Sequence, residues 1–473
     1  MGLVLTLVLP PPPGLDVLGW HSAGVAILMA VFWITEPVPI PATALLPLVL
    51  FPALGLADGV EAAAPFSSPI IYLFLGGFFI AAAMQKWGLH RRLALGLLAR
   101  VGTRPSRLVA GFLLSAALLS MWVSNTATAM MMMPIALSVT QMARCSAGSR
   151  SQVLTQVLLL AVAYGATAGG MATLIGTPPN AMLAGYMESV HGVTIGFGQW
   201  MMLGVPLTLL SLPLIYFVLT RVSFRLGDER VEGIDEILRD ERVRLGSMSR
   251  GELVTALVFA FTAMAWVLRP LLAGGMPGLS DTSIAIAGAL LLFMIPLSAS
   301  RGEFALDWEA AKGVPWGVLL LFGGGMSLAA VIEKHGLASY LGELFSHLEG
   351  IHLALVLGVV CFVILMLTEL TSNTATAATF LPIMGAMALS LGQNPLLFLI
   401  PCALAANCSF MMPVGTPPNA IVFGSGQLSL PQMAHAGIWL NLLMVPAMLA
   451  MMLLLGKWVF GIEFGIIPDW ALD

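Results

Sequence analysis

The chain contains 473 residues, of which 59% are hydrophobic and only 9% are charged, and its formal net charge is -4. Soluble domains carry about 25% charged residues, so this chain lacks the charge that a water-facing surface needs. Apolar tracts of membrane-spanning length recur from end to end and predict an all-α polytopic membrane protein. No basic patch indicates a nucleic acid as a partner.

The first element is an apolar run at residues 1–9, which ends at a row of prolines. This run is too short to cross a bilayer. It also lacks the basic segment and the cleavage site that are typical of a signal peptide. We expect the stub of a first helix here.

Most Lys and Arg residues lie in three clusters, at residues 86–107, 144–150 and 221–250. The positive-inside rule places all three clusters on the cytoplasmic side. Residues 108–143 contain no charged side chain, so this tract must enter the membrane and return to the same side. Each arm of about 17 residues would be roughly 25 Å long as a helix.

The turn of this tract contains Ser124, Asn125 and Thr126. These residues make a poor aqueous loop, because no charge, glycine or proline accompanies them. Their side chains can instead satisfy the free backbone donors at the start of a helix. An ordinary helix pair would also fit the length, but this composition favours a re-entrant hairpin whose tip stays inside the membrane.

The second half of the chain repeats these features in the same order. The hexapeptide SNTATA occupies residues 124–129 and 372–377, and GTPPNA occupies residues 176–181 and 415–420. A pair of glycines precedes each set of motifs. We therefore predict two structural repeats, which helical transporters commonly arrange with inverted topology.

The GTPPNA segments lie inside apolar tracts and predict interruptions of two membrane helices. Tandem prolines remove backbone donors and fix φ, and a preceding glycine permits turns that other residues resist. Non-helical backbone at membrane depth is tolerated only where it lines a cavity or is buried in protein. We therefore expect a binding site at these two broken helices, where transporters place substrates and ions.

The four motifs lie in tracts without lysine or arginine, including residues 151–220 and the tract between Lys334 and Lys457. An anion bound there must be held by helix N-termini, amides, hydroxyls or mobile cations. Hydroxyls, asparagine carbonyls and unwound main-chain carbonyls are also the oxygen ligands that suit Na⁺. These residue types therefore indicate cation-coupled anion transport.

One carboxylate breaks the symmetry between the halves. Glu369 lies three residues before Ser372, whereas the first half has Met121 at the equivalent position. A carboxylate inside the membrane is a candidate functional group. It could tune a cation site, titrate with a proton or brace the hairpin through hydrogen bonds, and the sequence leaves these three roles open.

Paired SNT motifs, each followed by GTPPNA, resemble the divalent anion/sodium symporter family, the INDY-type di- and tricarboxylate transporters. The resemblance runs from about Trp20 to the C-terminus. It implies that the substrate carboxylates are bound by Ser124, Asn125, Thr126, Thr177, Pro178, Ser372, Asn373, Thr374, Thr416 and Pro417. It also implies two Na⁺ sites, one formed by Ser120, Ser124, Asn125 and the carbonyl of Gly176, the other by Thr368, Thr371, Asn373 and the carbonyl of Gly415.

The resemblance further implies an elevator-type homodimer in the cell membrane. Scaffold helices would lie at residues 1–104, with a cytoplasmic interfacial helix, and at residues 221–350, with a cytoplasmic linker. Transport elements would lie at residues 105–220 and 351–473. Each transport segment would contain one re-entrant hairpin and one broken transmembrane helix.

The function that this resemblance implies is Na⁺-coupled uptake of succinate, malate or fumarate, with citrate as a further candidate, and no enzymatic activity. A Na⁺-independent dicarboxylate exchanger and a sulfate transporter of the same fold remain alternatives. An exchanger should carry a fixed positive group near its vacated ion sites, and neither hairpin has one. An intramembrane hydrolase would need a base beside Ser124 or Ser372, and no His or Lys accompanies either serine in the motif tracts.

Overall fold

The computed structural model describes residues 2–147, 149–224, 226, 234–272, 274–298, 302–345 and 350–472. Helices make up most of this structure, as the composition predicts. Those of the first half are α1 (Gly2–Val8), α2 (Val17–Thr35), α3 (Ile40–Thr43), α4 (Pro47–Leu54), α5 (Gly59–Ala63), α6 (Pro69–Lys86), α7 (Leu89–Val101), α8 (Pro105–Ser120), α9 (Asn125–Ala147), α10 (Ser149–Gly170), α11 (Pro178–His191) and α12 (Phe197–Phe217). A 3-10 helix, Ala64–Ser67, follows α5, and a π-helical turn, Val218–Ser223, ends α12.

The second half continues in the same style. Its helices are α13 (Ile234–Leu245), α14 (Arg250–Leu272), α15 (Asp281–Met294), α16 (Trp308–Lys312), α17 (Trp316–Lys334), α18 (Leu337–Phe345), α19 (Leu353–Thr368), α20 (Asn373–Ser390), α21 (Leu396–Asn407), α22 (Pro417–Gly424) and α23 (Leu430–Phe460). A short 3-10 turn, Asp469–Ala471, follows α23.

Seven helical segments in the described part of the chain are long and apolar enough to cross a membrane. They are Val17–Thr35, Gly59–Lys86, Gln152–Gly170, Phe197–Ser223, Arg250–Leu272, Trp316–Lys334 and Leu430–Phe460. The protein is therefore a multi-pass helical membrane protein, as predicted. The expected N-terminal stub is present as α1, which is seven residues long.

A small two-stranded ribbon is an element that the all-α prediction missed. Strands β1 (Pro296–Ser298) and β2 (Glu303–Phe304) pair in antiparallel fashion, with Pro296 opposite Phe304. Lys86 at the end of α6 donates to the Phe304 carbonyl at 3.1 Å. This bond connects the ribbon, which lies between α15 and α16 in the chain, to the end of α6.

Two helical hairpins occupy the positions that the sequence predicts. The first hairpin consists of α8 and α9, and the second consists of α19 and α20. Helix α8 packs on α10, and α19 packs on α21, so each hairpin lies against the helix that precedes a GTPPNA segment. The same relationship therefore holds in both halves of the chain.

The centre of the molecule is formed by the two helices that precede the breaks. Every residue of α10 from Leu154 to Gly170 is buried, and every residue of α21 is buried. The helices that follow the breaks cross over to the other half, because α11 packs on α20 and α22 packs on α9. This exchange brings the two hairpin tips and the two breaks into one region.

Glycines at helix contacts allow the helices to approach closely. A Cβ at Gly324 would lie 2.2 Å from the Ala44 carbonyl oxygen, and one at Gly76 would lie 2.7 Å from the Ala285 carbonyl carbon. In α10, a Cβ at Gly169 would lie 2.1 Å from the Ala117 carbonyl oxygen. Any side chain at these positions would push backbones apart.

Two of the basic clusters meet in the folded chain. Arg92 in α7 donates to the Glu252 carboxylate at 2.7 Å and to the Gly246 carbonyl at 3.1 Å. Arg91 forms an ion pair with Glu241 of α13. Residues 225 and 230 of the third cluster lie outside the described part of the chain, as do the side chains at 144 and 150 of the second.

Candidate binding site at the two helix breaks

Both SNT motifs lie where a hairpin turns and its second helix begins. In the first hairpin, α9 starts at Asn125, and the Ser124 hydroxyl accepts a hydrogen bond from the Ala127 N–H at 3.3 Å. In the second, α20 starts at Asn373, and the Ser372 carbonyl accepts from the Thr376 N–H at 2.9 Å. The prediction that SNT begins a helix is confirmed in both copies, although only Ser124 caps with its side chain.

Both GTPPNA segments interrupt helices, as predicted. Residues 171–177 separate α10 from α11, and residues 408–416 separate α21 from α22. The threonine before each proline pair is extended, with φ of -150° at Thr177 and -140° at Thr416. Pro178 and Pro417 each occupy the first helical position, where the missing N–H costs nothing.

The asparagine of each GTPPNA segment braces its break. Asn180 donates from Nδ2 to the Gly170 carbonyl at 3.2 Å and the Thr173 carbonyl at 2.8 Å. Its counterpart Asn419 donates to the Ser409 and Met412 carbonyls, both at 3.1 Å. These carbonyls lack helical partners because the helix ends there. The sequence alone predicts no role for these two asparagines, although both lie in a repeated motif.

The first hairpin tip and the first break bring four oxygen atoms together. Asn125 Oδ1 lies 2.5 Å from the Ser120 hydroxyl oxygen. It also lies 3.2 Å from the Gly176 carbonyl oxygen and 3.3 Å from the Ala166 carbonyl oxygen. Ser120, Asn125 and Gly176 are residues that the family resemblance implies for a Na⁺ site. Ala166 was not anticipated.

The second half builds the same cluster from equivalent residues. Asn373 Oδ1 lies 2.8 Å from the Thr368 hydroxyl oxygen. It lies 2.9 Å from the Gly415 carbonyl oxygen and 3.2 Å from the Ala406 carbonyl oxygen. Ala406 was missed, as Ala166 was. Ala406 lies in the last turn of α21, and its carbonyl also accepts the Thr368 hydroxyl at 2.7 Å. Ala166 lies four residues before the end of α10.

An amide oxygen that faces two carbonyl oxygens is unfavourable unless something positive lies between them. The contact is relieved if the amide turns so that its nitrogen donates to the carbonyls. It is also relieved if a hard cation binds among the oxygens, because such cations prefer oxygen ligands. The donor set, one hydroxyl, one amide oxygen and two main-chain carbonyls, fits Na⁺ in both clusters.

The side chain of Thr371 lies outside the second cluster. Its hydroxyl donates to the Leu367 carbonyl at 3.0 Å and shares a hydrogen bond of 2.6 Å with the Thr376 hydroxyl. The resemblance implies Thr371 as a Na⁺ ligand, but this hydroxyl is already engaged within the hairpin. A contribution from Thr371 would therefore have to come from its main chain.

The two threonines of the GTPPNA segments use their hydroxyls differently. Thr177 donates to Asn407 Oδ1 at 2.7 Å, a contact between the first break and the end of α21. Thr416 instead accepts a bond from the Asn419 N–H at 3.4 Å within its own helix start. Thr374 is buried beside them in α20, and Thr126 is half-buried in α9. The two halves of the candidate site are therefore similar but not identical.

Glu369 is buried and all of its hydrogen-bond partners in the described structure are donors. These donors are Ser409 Oγ (2.8 Å), Phe410 N (2.8 Å), Met411 N (3.0 Å), Met412 N (2.9 Å) and Asn441 Nδ2 (2.7 Å). Of the three roles that the sequence left open, this geometry supports the brace. The carboxylate ties the second hairpin to the unwound segment after α21 and to α23.

Four helix N-termini, those of α9, α11, α20 and α22, belong to this region. The N-terminus of a helix carries free N–H groups and a partial positive charge, and both favour an anion. Hydroxyls of the SNT and GTPPNA motifs supply further donors. The arrangement can therefore bind an anion between amide donors while oxygen clusters on either side hold cations.

Comparison with known proteins agrees with this chemistry. The sodium-dependent dicarboxylate transporter SdcS of Staphylococcus saprophyticus is 40% identical over 469 residues, which cover 97% of this chain and 90% of that protein. SdcS of Staphylococcus aureus is 39% identical over 449 residues, which cover 93% of this chain and 86% of the relative. These relatives match nearly the full described fold.

Two solved structures share the fold. MtrF of Neisseria gonorrhoeae, from a class of antimetabolite efflux pumps, has a TM-score of 0.60 at 14% identity, with 98% of each chain covered. The YdaH transporter of Alcanivorax borkumensis has a TM-score of 0.57 at 16% identity, with 97% of this chain and 98% of that chain covered. The family model for the sodium:sulfate symporter transmembrane region matches residues 1–462. This multi-pass plasma-membrane protein belongs to that family, the divalent anion/sodium symporters.

Proposed function

We propose that the protein is a secondary active transporter that couples the uptake of C4-dicarboxylates to Na⁺. The observation that carries this proposal is the repeated cluster of one hydroxyl and two main-chain carbonyls around an asparagine amide, that of Asn125 in one half and of Asn373 in the other. Two matched clusters of this kind suit two cations of the same type. The names of the SdcS relatives support Na⁺ as the coupling ion and a dicarboxylate as the substrate.

In this proposal each cluster binds one Na⁺. The first ion is held by Ser120, Ser124, Asn125 and the Gly176 carbonyl, to which the cluster adds the Ala166 carbonyl. The second is held by Thr368, Asn373 and the Gly415 carbonyl, with the Ala406 carbonyl and the main chain of Thr371. The free-energy cost of removing water from Na⁺ is offset because these oxygens already face one another and replace the water ligands.

The anion lies between the two clusters. Its carboxylates accept hydrogen bonds from the two hairpin tips and from the threonines before the two proline pairs. The proposed ligands are Ser124, Asn125, Thr126, Thr177, Pro178, Ser372, Asn373, Thr374, Thr416 and Pro417, of which the two prolines have no N–H and contribute van der Waals contact only. Two equivalent tips at opposite ends of one site suit a substrate with two carboxylates, such as succinate, malate or fumarate, and citrate offers a third.

Coupling follows from the shared asparagines. Each amide directs its oxygen to a cation and its nitrogen toward the anion, so occupancy of one site orients the ligand of the other. The motif tracts contain no lysine or arginine, so the charge of a bound dianion is balanced only by the bound cations and helix dipoles. A carrier loaded with anion alone is therefore disfavoured.

The movement that we propose is an elevator in a homodimer. Two inverted repeats would contribute re-entrant hairpins from opposite faces of the membrane. Residues 105–220 and 351–473 would carry the site, while residues 1–104 and 221–350 would form the static scaffold and linker. The packing of each post-break helix on the other hairpin supports this grouping, because both halves of the site then move together.

The experiment that tests the proposal is uptake of labelled succinate into proteoliposomes. Uptake is compared between an inward Na⁺ gradient and the same gradient of choline, with excess malate as competitor. We expect uptake only with Na⁺ and inhibition by malate. Uptake without Na⁺ that depends on succinate preloaded inside would instead indicate an exchanger.

A sulfate transporter is the second candidate, because the family model is named for sodium:sulfate symporters. Labelled sulfate is therefore measured in parallel. Sulfate uptake that succinate does not inhibit would overturn the assignment to dicarboxylates but leave the Na⁺ sites intact. Absence of uptake for both anions under a Na⁺ gradient would overturn the symport mechanism.

A further inference from the structure

Asn407 lies at the end of α21 and belongs to none of the four repeated motifs. Its side-chain oxygen accepts the Thr177 hydroxyl at 2.7 Å, and its main-chain carbonyl accepts from Asn373 Nδ2 at 3.4 Å. Thr177 belongs to the first break and Asn373 to the second hairpin tip. Asn407 therefore contacts both halves of the candidate site from a position at its centre.

The amide nitrogen of Asn407 is buried and has no hydrogen-bond partner in the structure. A buried donor without an acceptor costs folding free energy. Native proteins rarely contain one unless a ligand or a water molecule accepts its hydrogen bond. Nearby Asn180, Asn419 and Asn441 are different, because each uses its nitrogen and leaves its oxygen free. Asn407 thus presents a free donor where its neighbours present acceptors.

The first half has a different donor at this place. Because Ala166 and Ala406 are equivalent in the two clusters, the first-half counterpart of Asn407 is Thr167, whose hydroxyl is also buried and has no partner among the described residues. Thr177, whose hydroxyl donates to Asn407, is one of the proposed ligands of the anion. The free N–H₂ group therefore lies beside a proposed anion ligand, in a site without lysine or arginine.

We propose that Asn407 is a further anion-binding residue, whose Nδ2 donates to a substrate oxygen beside Thr177 while its Oδ1 holds the Thr177 hydroxyl. The inference rests on the proposed function, since a carboxylate oxygen is the acceptor that this amide lacks. Because Thr167 offers a hydroxyl where Asn407 offers an amide, the two ends of a bound dicarboxylate are held by different groups. Asn407 thus contributes to anion affinity and not to the Na⁺ clusters.

The test measures the KM for succinate and the half-activating Na⁺ concentration for Asn407→Ala, Asn407→Ser and Asn407→Asp. Asn407→Ala should raise the KM about 10- to 100-fold, as expected when one hydrogen bond to a charged group is lost. Asn407→Ser keeps a small donor and should fall between alanine and wild type. At saturating succinate, Na⁺ activation should change by less than about twofold in Asn407→Ala and Asn407→Ser, because neither substitution removes a cluster oxygen or adds a charge.

Asn407→Asp separates anion binding from simple positioning of Thr177. Aspartate keeps an acceptor for the Thr177 hydroxyl but replaces the donor with a negative oxygen. If Asn407 binds the anion, this variant should have a higher KM than Asn407→Ala. A KM close to that of the wild type would show that Asn407 only positions Thr177 and would overturn the inference.

Two controls keep the result interpretable if a variant folds poorly. Asn394→Ala removes another buried asparagine, whose Oδ1 accepts the Leu396 N–H at 3.0 Å away from the motifs, and should leave the KM unchanged. The rise in melting temperature of purified protein with succinate should be lost in Asn407→Ala, while the rise with Na⁺ is retained. Equal succinate-dependent rises in wild type and Asn407→Ala would contradict the inference.

A failure of the proposed dicarboxylate transport can be distinguished from a failure of the inference about Asn407. If the wild type takes up sulfate and no dicarboxylate, the same variants are measured with sulfate. The donor argument requires only an anion, so it predicts the same ranking of the variants. Sulfate affinities that do not differ between wild type and Asn407→Ala would reject the inference independently of the substrate assignment.

Discussion

The carboxylate of Glu369 accepts a hydrogen bond from the Ser409 hydroxyl at 2.8 Å, although the two residues are 40 positions apart. This contact joins the tip of the second hairpin to the unwound segment after α21. Three successive backbone N–H groups, those of residues 410–412, donate to the same carboxylate. A buried anion thus replaces the helical hydrogen bonds that the break removes.

Glu369→Gln should destabilise the protein and reduce transport. Glutamine supplies one oxygen instead of two and turns an N–H₂ group toward donors, and each buried donor left unpaired costs roughly 1–3 kcal/mol. The apparent melting temperature in detergent and the initial rate of uptake measure the two effects.

Met121→Gln alters the equivalent position of the first hairpin and should have a smaller effect, since no break depends on its side chain. The loss of stability in Glu369→Gln should be the same with and without Na⁺. A loss that appears only in the presence of Na⁺ would instead make Glu369 part of an ion site.

Substitutions of Asn125 should separate its two functions. Asn125→Ala removes both the cation ligand and the anion donor, and uptake should be abolished while the protein stays folded. Asn125→Asp keeps an oxygen in the cluster but adds a charge that repels the anion. It should retain the rise in melting temperature with Na⁺ and lose the rise with succinate.

Asn373→Ala is the matched variant in the second hairpin and should abolish uptake in the same way. Normal uptake by either alanine variant would contradict the proposed site. If Asn125→Asp no longer responds to Na⁺, the amide of Asn125 acts through its nitrogen, as a donor to the Gly176 and Ala166 carbonyls.

The bracing asparagines predict matched losses of stability in the two halves. Asn180→Ala leaves the Gly170 carbonyl, and Asn419→Ala the Ser409 carbonyl, without a donor among the described residues, at roughly 1–3 kcal/mol for each group. The Thr173 and Met412 carbonyls keep only the bonds from the N–H groups of Gly176 and Gly415. Both variants should melt at a lower temperature and transport at least about tenfold more slowly, because the ends of the broken helices are no longer fixed.

Ser189→Ala is the control in α11, since that hydroxyl donates only to the Tyr186 carbonyl one turn earlier in the same helix. It should leave melting temperature and uptake unchanged. A strong effect of Asn180→Ala combined with none of Asn419→Ala would show that the two breaks are not equivalent in function.

Close helix packing makes a prediction that does not involve the site. Gly324→Ala would place a Cβ 2.2 Å from the Ala44 carbonyl oxygen, so helices α17 and α3 must separate. Overpacking of this kind costs about 1–3 kcal/mol. A lower melting temperature and a reduced yield of folded protein are the expected outcomes.

Gly96→Ala in α7 is the matched control, because a Cβ there meets no atom within 4 Å. Alanine is favoured over glycine inside a helix by about 1 kcal/mol, so this variant should be as stable as the wild type or slightly more stable. Equal effects of the two substitutions would contradict the packing argument.

Repeated motifs allowed the sequence to predict the parts of the structure that are built twice. The starts of α9 and α20 and the interruptions near Gly176 and Gly415 follow from polar or proline-rich segments inside apolar tracts. Such segments are visible because their composition differs from their surroundings. The family resemblance added expected ligands, among them Ser120 and Thr368, that the structure places beside the two asparagines.

Other parts of the site could not be predicted because they depend on contacts between distant segments. The carbonyls of Ala166 and Ala406 carry no side-chain signal, since any residue near the end of a helix offers the same oxygen. The sequence marks Glu369 as a candidate, but its role depends on the position of residues 409–412. Asn407 carries no signal because it lies outside the repeated motifs and its first-half counterpart is a different residue, Thr167.

The contact between Gly169 and Ala117 leaves no space between α10 and α8. The main chains of α8 and α10 are in direct contact at these two residues. A change in the path of either helix therefore requires a matching change in the other. A chimera that takes α8 from a relative would need the α10 of the same relative to fold. When segments are exchanged between members of this family, the first hairpin and the helix before the first break should therefore be transferred together.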